Sequence, residues 1–465
     1  VNFSENITEI GDYVFSGCSS LTSVNLPKSL KAIGFGAFSN SGLSEIYVNG
    51  NLEDGQYHIE SPSGVPMPLE RPFGGTTKNI HLIFNEGVTR IPSEVFASNK
   101  SIVSITLPNS IRTISSHAFS GCEALATVNF SDDLVTIDEY AFSNCTSLSS
   151  LDFREGLTKI GSDAFSGCTS LTSLNFPESL KILGNNAFFD CTNLSSVQIN
   201  SDLEDMEAIS DSPFQKYDSE ENKNISVIFG EDVTRVPAYL FKNSSYISEV
   251  NFSENITEIG DYVFSGCSSL TSINLPKNLK TIGSGAFAYC KLSSIIINSD
   301  IDDSEYDRES SPFYTYEGYF DVVFAECVTH IPANLFAANS RVKSVSFSNT
   351  VTEISDGAFR DCTNLRTVNF SDSLSMIGQK SFSGCTNLKM IHFPDSLEII
   401  GSMAFWGCSS LESIELPKDL KVINERVFAG CNSLTSVDFP SSLEKIGVGA
   451  FGNCSSLSSL TFPNG

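Results

Sequence analysis

Cysteine and histidine are the residues of this chain best suited to chemistry. Twelve of the 13 cysteines (18, 122, 145, 168, 191, 267, 290, 362, 385, 408, 431 and 454) stand three residues after a phenylalanine in a repeated frame. A zinc site needs clustered thiolates such as C-x-x-C, and the chain has none. Stacked copies with parallel Cβ vectors about 4.8 Å apart exceed the roughly 3.8 Å that a disulfide prefers. The spacing predicts a ladder of buried thiols, with disulfide pairing and metal binding as the alternatives. Cys327 falls outside the frame and is the candidate reactive thiol. His58, His81, His117, His330 and His392 are dispersed, with no H-E-x-x-H and no nucleophile elbow. The residue types thus predict a non-enzyme that needs no cofactor. Asp300, Asp302, Asp303, Glu305 and Asp307 offer oxygen ligands for Ca²⁺, but without the EF-hand glycine and terminal glutamate; a solvated acidic loop is the simpler reading, and no metal site is assigned.

The elements behind this frame show in residues 145–167, whose pattern the next 23 residues repeat position for position. Large apolar residues occupy Leu148, Leu151, Phe153, Leu157, Ile160 and Phe165, with small Cys145 and Ala164 between them. Leu151-Asp152-Phe153 alternates as a strand, and Leu157, Ile160 and Phe165 recur on a return path. One such coil buries too little to order itself, so coils must stack and share a core.

The phenylalanines at 15, 38, 73, 96, 119, 142, 165, 188, 214, 241, 264, 287, 313, 336, 359, 382, 405, 428 and 451 mark 19 coils, and 14 of the 18 intervals are 23 residues. The exceptions adjoin Phe73, Phe214 and Phe313, each preceded by proline, and define irregular coils at 49–79, 200–224 and 298–320. Residues 1–23 are identical to 250–272, so blocks as well as single coils were duplicated. Proline ends the strand at 27, 108, 177, 276, 394, 417, 440 and 463, where ladder pairing stops. Glycine follows the return-path Ile or Leu at 11, 34, 161, 184, 260, 283, 378, 401 and 447, or Ser115, Asp138, Ser355 and Asn424 instead; these are turn residues, several tolerant of positive φ. The fold class expected is a repeat solenoid of about 19 coils, mainly β, as a single body over residues 1–465. One continuous parallel sheet of roughly 90 Å would line one side, with turns and 3₁₀ segments on the return side.

On the strands, the residues between inward-facing positions should be outward: Asn25, Asn129, Asp152, Asn175, Gln198, Asn251, Asn274, Asn369, His392, Glu415 and Asp438. They are candidates for a partner-binding face, or an amide ladder that merely solvates the sheet. The irregular coils carry Tyr57, Met67, Tyr217, Tyr306, Tyr314, Tyr316 and Tyr319. Loops on a rigid scaffold carry recognition and tyrosine suits contact surfaces, the alternative being tolerated insertion. Among the N-x-S/T sequons, Asn6, Asn99, Asn224, Asn243 and Asn255 are the glycosylation candidates.

Asp plus Glu (55) outnumber Lys plus Arg (28), for a net charge of −27, and the basic residues are scattered along the sequence. Phosphate backbones would be repelled, so no nucleic-acid partner is expected. No apolar run of membrane-spanning length occurs. The chain begins and ends mid-repeat without a signal segment, the pattern expected of part of a longer protein, so membrane association is expected only through an anchor outside these residues.

The recurring pattern C-x-x-L-x-x-[VIL]-x-[FL]-P-x-x-L-x-x-[IL]-G-x-x-A-F-x-x-C resembles the leucine-rich repeats of the BspA-like, Treponema-type class, and the chain departs from it in the three irregular coils, where Cys and the Ala-Phe pair are lost. The resemblance implies a horseshoe-like or superhelical solenoid with its strands on the concave side. It also implies a surface-exposed or secreted protein, several members of the class being adhesins for extracellular-matrix or other host proteins. The function expected is recognition of a protein or glycan through the concave face and the irregular coils; the alternative is a structural module that self-associates head to tail.

Overall fold

The computed structural model describes residues 1–55, 70–76, 78–208, 211–217, 223–303, 310–314 and 318–462, and the backbone of His58–Glu60 and Pro66–Pro68. Among these residues the chain forms strands and turns and no helix. It divides into two compact units: residues 1–204, 209–232 and 244–246, and residues 205–208, 233–243 and 247–465.

In the first unit the repeat becomes a parallel ladder. Thr127–Asn129, Ile102–Thr106, Ile80–Phe84, Glu45–Val48 and Ser23–Leu26 form one five-stranded sheet in that order. A single bridge, Asn129 to Asp152, extends it. Ser173–Asn175, Ser196–Ile199 and Ile225–Phe229 continue as a separate parallel set. The second unit holds a five-stranded sheet from Ser272–Asn274 to Thr367–Asn369, then the pairs Met390–His392 with Ser413–Glu415 and Ser436–Asp438 with Ser459–Thr461. The hydrogen-bonded sheet is therefore segmented rather than continuous. Most regular coils contribute only three strand residues before the chain turns away, so each junction rests on few bonds.

The return side differs from the 3₁₀ expectation. It carries a second parallel ladder of two-residue strands: Arg90–Ile91, Thr113–Ile114, Thr136–Ile137, Lys159–Ile160 and Ile182–Leu183 in the first unit. The turn around each marker phenylalanine is itself bonded to the next coil, as Phe119 N–H to Ala141 O at 2.8 Å and Phe142 N–H to Ala164 O at 2.7 Å. Isolated i→i+3 turns occur there, such as Cys122 N–H to Phe119 O at 3.0 Å. They do not propagate, because residues two before and two after the marker take positive φ, as at Tyr140 (55°) and Asn144 (58°).

Strand alternation sets the core: Val128, Leu174 and Val197 point in and are buried while their neighbours face out. Behind them the marker rings stack in register, from Phe15 on Phe38 (5.1 Å) to Phe188 on Phe214 (5.9 Å) in the first unit. In the second they run from Phe241 on Phe264 (5.4 Å) to Phe428 on Phe451 (5.5 Å). Coils about 4.8 Å apart that repeat one rotamer give this offset stacking. Each buried ring contributes roughly 2–3 kcal/mol by area and each stacked pair about 0.5–1.5 kcal/mol more.

The irregular coils keep the main ladder and the ring stack but drop a rung of the short ladder. Glu45 pairs with His81, and Ser294 with Asp321, directly across the inserts, and Phe73 and Phe313 stay stacked on both neighbours. The short ladder stops at Ala32–Ile33 and resumes at Arg90–Ile91; in the second unit it stops at Thr281–Ile282 and resumes at His330–Ile331. Carboxylates fill the gaps. Asp54 accepts from Ser93 N–H (2.8 Å) and Arg90 (2.5 Å), and Asp300 accepts from Thr329 N–H (2.6 Å) and its hydroxyl (2.7 Å).

The glycines after the return path serve closeness, not positive φ. A Cβ on Gly161 would lie 2.6 Å from Glu139 N and 2.7 Å from Asp138 C, and one on Gly401 2.5 Å from Gly378 C. Backbones of adjacent coils touch there, and a side chain would wedge them apart.

Candidate partner-binding surface

The structure places Asn129, Asp152, Asn175, Asn251, Asn274, Asn369, His392, Glu415 and Asp438 on the outward strand face, exposed, with Gln198 half-buried among them. It joins several of these. His392 Nδ1 lies 3.1 Å from Glu415 Oε2, Asn175 pairs with Gln198 across adjacent strands, and Asp152 sits 3.2 Å from the Arg154 guanidinium. Asn274 is tied down as well: Asn298 Nδ2 donates to its side-chain oxygen (2.6 Å) and to Leu275 O (2.6 Å). Asn49 and Asn200 make the same two bonds to Asn25 and Leu26 and to Asn175 and Phe176. An asparagine staple thus opens each irregular coil.

Sequence reasoning missed the apolar members of this row. The strand-face position of Asn274 passes in register to Ile296, Val323, Ser346 and Asn369. Ile296 is 37% exposed and Val323 39%, side by side on the strands that flank the 298–320 insert. In the first unit Tyr47 pairs with Ile83 and Gln198 with Ile228, again flanking an insert. Ser294–Ile297 reads Ser-Ile-Ile-Ile, an apolar run whose alternation is invisible by residue type.

Of the candidate tyrosines, Tyr306 and Tyr316 lie outside the described residues, as does Tyr57. Tyr314 is half-buried in the turn after Phe313, edge-on to Tyr289 at 5.9 Å. Tyr319 is 53% exposed just before Phe320–Phe324, with the Arg341 guanidinium 5.6 Å above its ring. It lines a cavity of about 310 Å³ with Lys343, Asn364 and Arg366. Lys343 and Arg366 occupy one repeat position on adjacent coils, linked by Arg366 N–H to Lys343 O at 3.0 Å. Basic residues scattered in sequence are therefore stacked in space.

The thiols are structural. Each described ladder cysteine from Cys122 to Cys454 donates to the carbonyl of the preceding marker phenylalanine, for example Cys122 Sγ to Phe96 O at 3.2 Å and Cys362 Sγ to Phe336 O at 3.1 Å. Where the position is Asn99 or Asn339, Nδ2 donates to the equivalent carbonyl, Phe73 O or Phe313 O, at 3.0 Å. Burial pushes the Cys122, Cys168 and Cys290 thiols up to about 12, so they are poor nucleophiles. All 13 cysteines are unbridged, and Cys18 and Cys327 are exposed. Asn99 is 4% exposed and so offers no room for a glycan, whereas Asn6, Asn224, Asn243 and Asn255 are exposed. Lys216 closes the 200–224 coil by donating to Leu194 O (3.0 Å) and Lys223 O (2.7 Å), and burial lowers its pKa to about 8. Asp300 and Asp303 accept from backbone N–H groups of 329–333, while Glu305 and Asp307 lie outside the described residues.

The chain matches the family described as "BspA type Leucine rich repeat region" in six copies, over residues 1–59, 89–221, 204–311, 234–366, 298–389 and 352–465. No curated protein matches it. Among solved structures, a leucine-rich repeat protein from Bacteroides ovatus is 21% identical, over 89% of this chain and 86% of that one, with a TM-score of 0.37. The T. pallidum leucine rich repeat protein is 29% identical over 46% of this chain and 86% of its own, with a TM-score of 0.30. A leucine rich cell surface protein from Faecalibacterium prausnitzii is 22% identical over 89% and 94%, with a TM-score of 0.28. Repeat frame, thiol ladder and family match agree: the chain belongs to the BspA-type leucine-rich repeat family.

Proposed function

We propose that this protein is a non-enzymatic recognition module, displayed on a cell surface or secreted, that binds a protein partner through the strand face around the 298–320 coil. The observation that carries the reading is the pairing of exposed Ile296 and Val323 on a face whose neighbouring coils present Asn274, Ser346 and Asn369. About 13 Å along the same strand, Tyr319, Lys343 and Arg366 surround a cavity. An aliphatic centre with an aromatic and arginine border is the composition of protein contact surfaces. Family membership supports surface display and extracellular partners, extracellular-matrix proteins among them.

The test is binding of the intact chain to an array of extracellular-matrix proteins, beside Ile296→Ser/Val323→Ser and Tyr319→Ala variants. All three positions are exposed, so circular dichroism and melting should be unchanged. A centre of this kind predicts a loss of about 2 kcal/mol, roughly 30-fold in Kd. Full binding by both variants would move the contact elsewhere and defeat the proposal. Concentration-dependent oligomers in light scattering, abolished by the same serines, would instead favour self-association.

A further inference from the structure

The chain has one tryptophan, Trp406, and it lies on the turn segments rather than on the strands. It is 49% exposed, at the residue after marker Phe405, where most coils carry Ser, Ala or Gly. The same position two coils earlier is Arg360, with Ser383 between. Two residues before the markers, three successive coils carry Lys380, Met403 and Arg426. Backbone bonds lock these rows: Lys380 N–H to Ser402 O (3.1 Å), Met403 N–H to Glu425 O (2.9 Å) and Trp406 N–H to Met403 O (3.0 Å). The side chains enclose an open depression of about 440 Å³ that also meets Asp361.

Three features point to a ligand. Lys380, Met403 and Arg426 put three long side chains in a row at one repeat position, and Gly357 and Gly449 fill that position on the coils to either side, so the row is bounded at both ends. The position beside the indole is glycine in three consecutive coils (Gly384, Gly407 and Gly430), and a Cβ at Gly407 would meet nothing closer than 4.0 Å, so the ring has no neighbour rising past it. Charge is the third. Three cations face one carboxylate in a protein of net charge −27. Arg360 reaches Asp361 only at 3.8 Å and Arg426 reaches Glu425 at 3.5 Å, while Lys380 makes no ion pair among the described residues.

We infer that this depression binds an acidic saccharide, with Trp406 against a sugar ring and Lys380, Arg426 and Arg360 pairing with its carboxylate or sulfate groups. The electron-rich indole face attracts the slightly positive C–H face of a pyranose, and guanidinium and ammonium groups supply charge-assisted bonds to the anion. An open, flat-walled site with one aromatic plate suits a rigid ring better than an extended acidic peptide, which would need partners for its backbone. The inference does not depend on the strand-face proposal, because no residue is shared.

Because Trp406 is the single tryptophan, its emission reports the site directly. Hyaluronan and chondroitin sulfate oligosaccharides, a neutral xylan oligosaccharide and polyglutamate are titrated into the intact chain at low salt. The expected result is a saturable emission change with the acidic saccharides only, weakened at least tenfold in Lys380→Gln/Arg426→Gln. Lys380→Arg should retain binding. Absence of any change, an equal response from polyglutamate, or unaltered affinity in the double variant would overturn the inference. Should the double variant misfold by circular dichroism, Lys380→Gln alone, at an exposed position, gives the same reading. Loss of matrix-protein binding in the strand-face variants leaves this titration unaffected.

Discussion

A carbonyl that accepts from a cysteine in one coil and from an asparagine in another shows what the repeat conserves at the level of the residue. The requirement at that position is a small buried donor aimed at the preceding phenylalanine carbonyl, met by Cys122 through Sγ and by Asn99 through Nδ2. The same logic separates two kinds of glycine. Gly161→Ala should destabilise by about 2–3 kcal/mol, because its methyl would press on Glu139 N and Asp138 C. Gly407→Ala, at φ 75° in open space, should cost about 1 kcal/mol. Denaturant midpoints of the two variants decide it: equal losses would mean that backbone conformation, not coil contact, governs both sites.

At the level of the element, the inserts hang on carboxylates. Burial alone would raise the Asp300 carboxyl, but the Thr329 hydroxyl, the Thr329 and His330 N–H groups and the His330 ring together hold it below the ordinary range. A depressed folded pKa contributes stability that is present above the unfolded value and lost as pH falls through the folded one. The 298–333 segment should therefore open below about pH 4, and Asp54, lowered in the same way by Ser93 and Arg90 against its burial, should release residues 49–93 together with it. Hydrogen exchange at pH 3 and pH 6 is the measurement. Asp300→Asn should cost about 1 kcal/mol and flatten the response in its own coil alone; an unchanged pH response in that variant would assign the opening to other groups.

Elements differ in how far residue type alone reveals them. The period and the thiol ladder were legible, because each depends on residue type at a fixed spacing. The short ladder was not, since two residues such as Thr136–Ile137 are too few to display alternation. The apolar strand-face pair was hidden inside an apolar run, and the Trp406 cluster is assembled from four coils that each look ordinary. A useful signal was present: a lone tryptophan at a position that most coils give to Ser, Ala or Gly.

For the whole molecule, each coil is completed by its neighbours: one coil alone buries too little to order itself, and adjacent coils share a single interior. With a net charge of −27, stacked acidic coils repel one another. Raising NaCl from about 20 to 200 mM shortens the screening length to under 10 Å and should raise the melting temperature by a few degrees. A fall would mean that surface pairs such as Lys418 with Asp395, at 2.8 Å, outweigh the repulsion.

The uninterrupted pairing of Glu45 with His81 and of Ser294 with Asp321 has a consequence for variation of the protein. The main ladder closes behind each insert as if nothing had been added, so beyond the carboxylate anchors insert length and composition are uncoupled from coil stacking. The inserts are ports: foreign segments begun after Gly55 or Asp303, and ended before Glu70 or Ser310, should be exchangeable without retuning the scaffold. A lineage could change what the protein meets in its surroundings by editing only these ports.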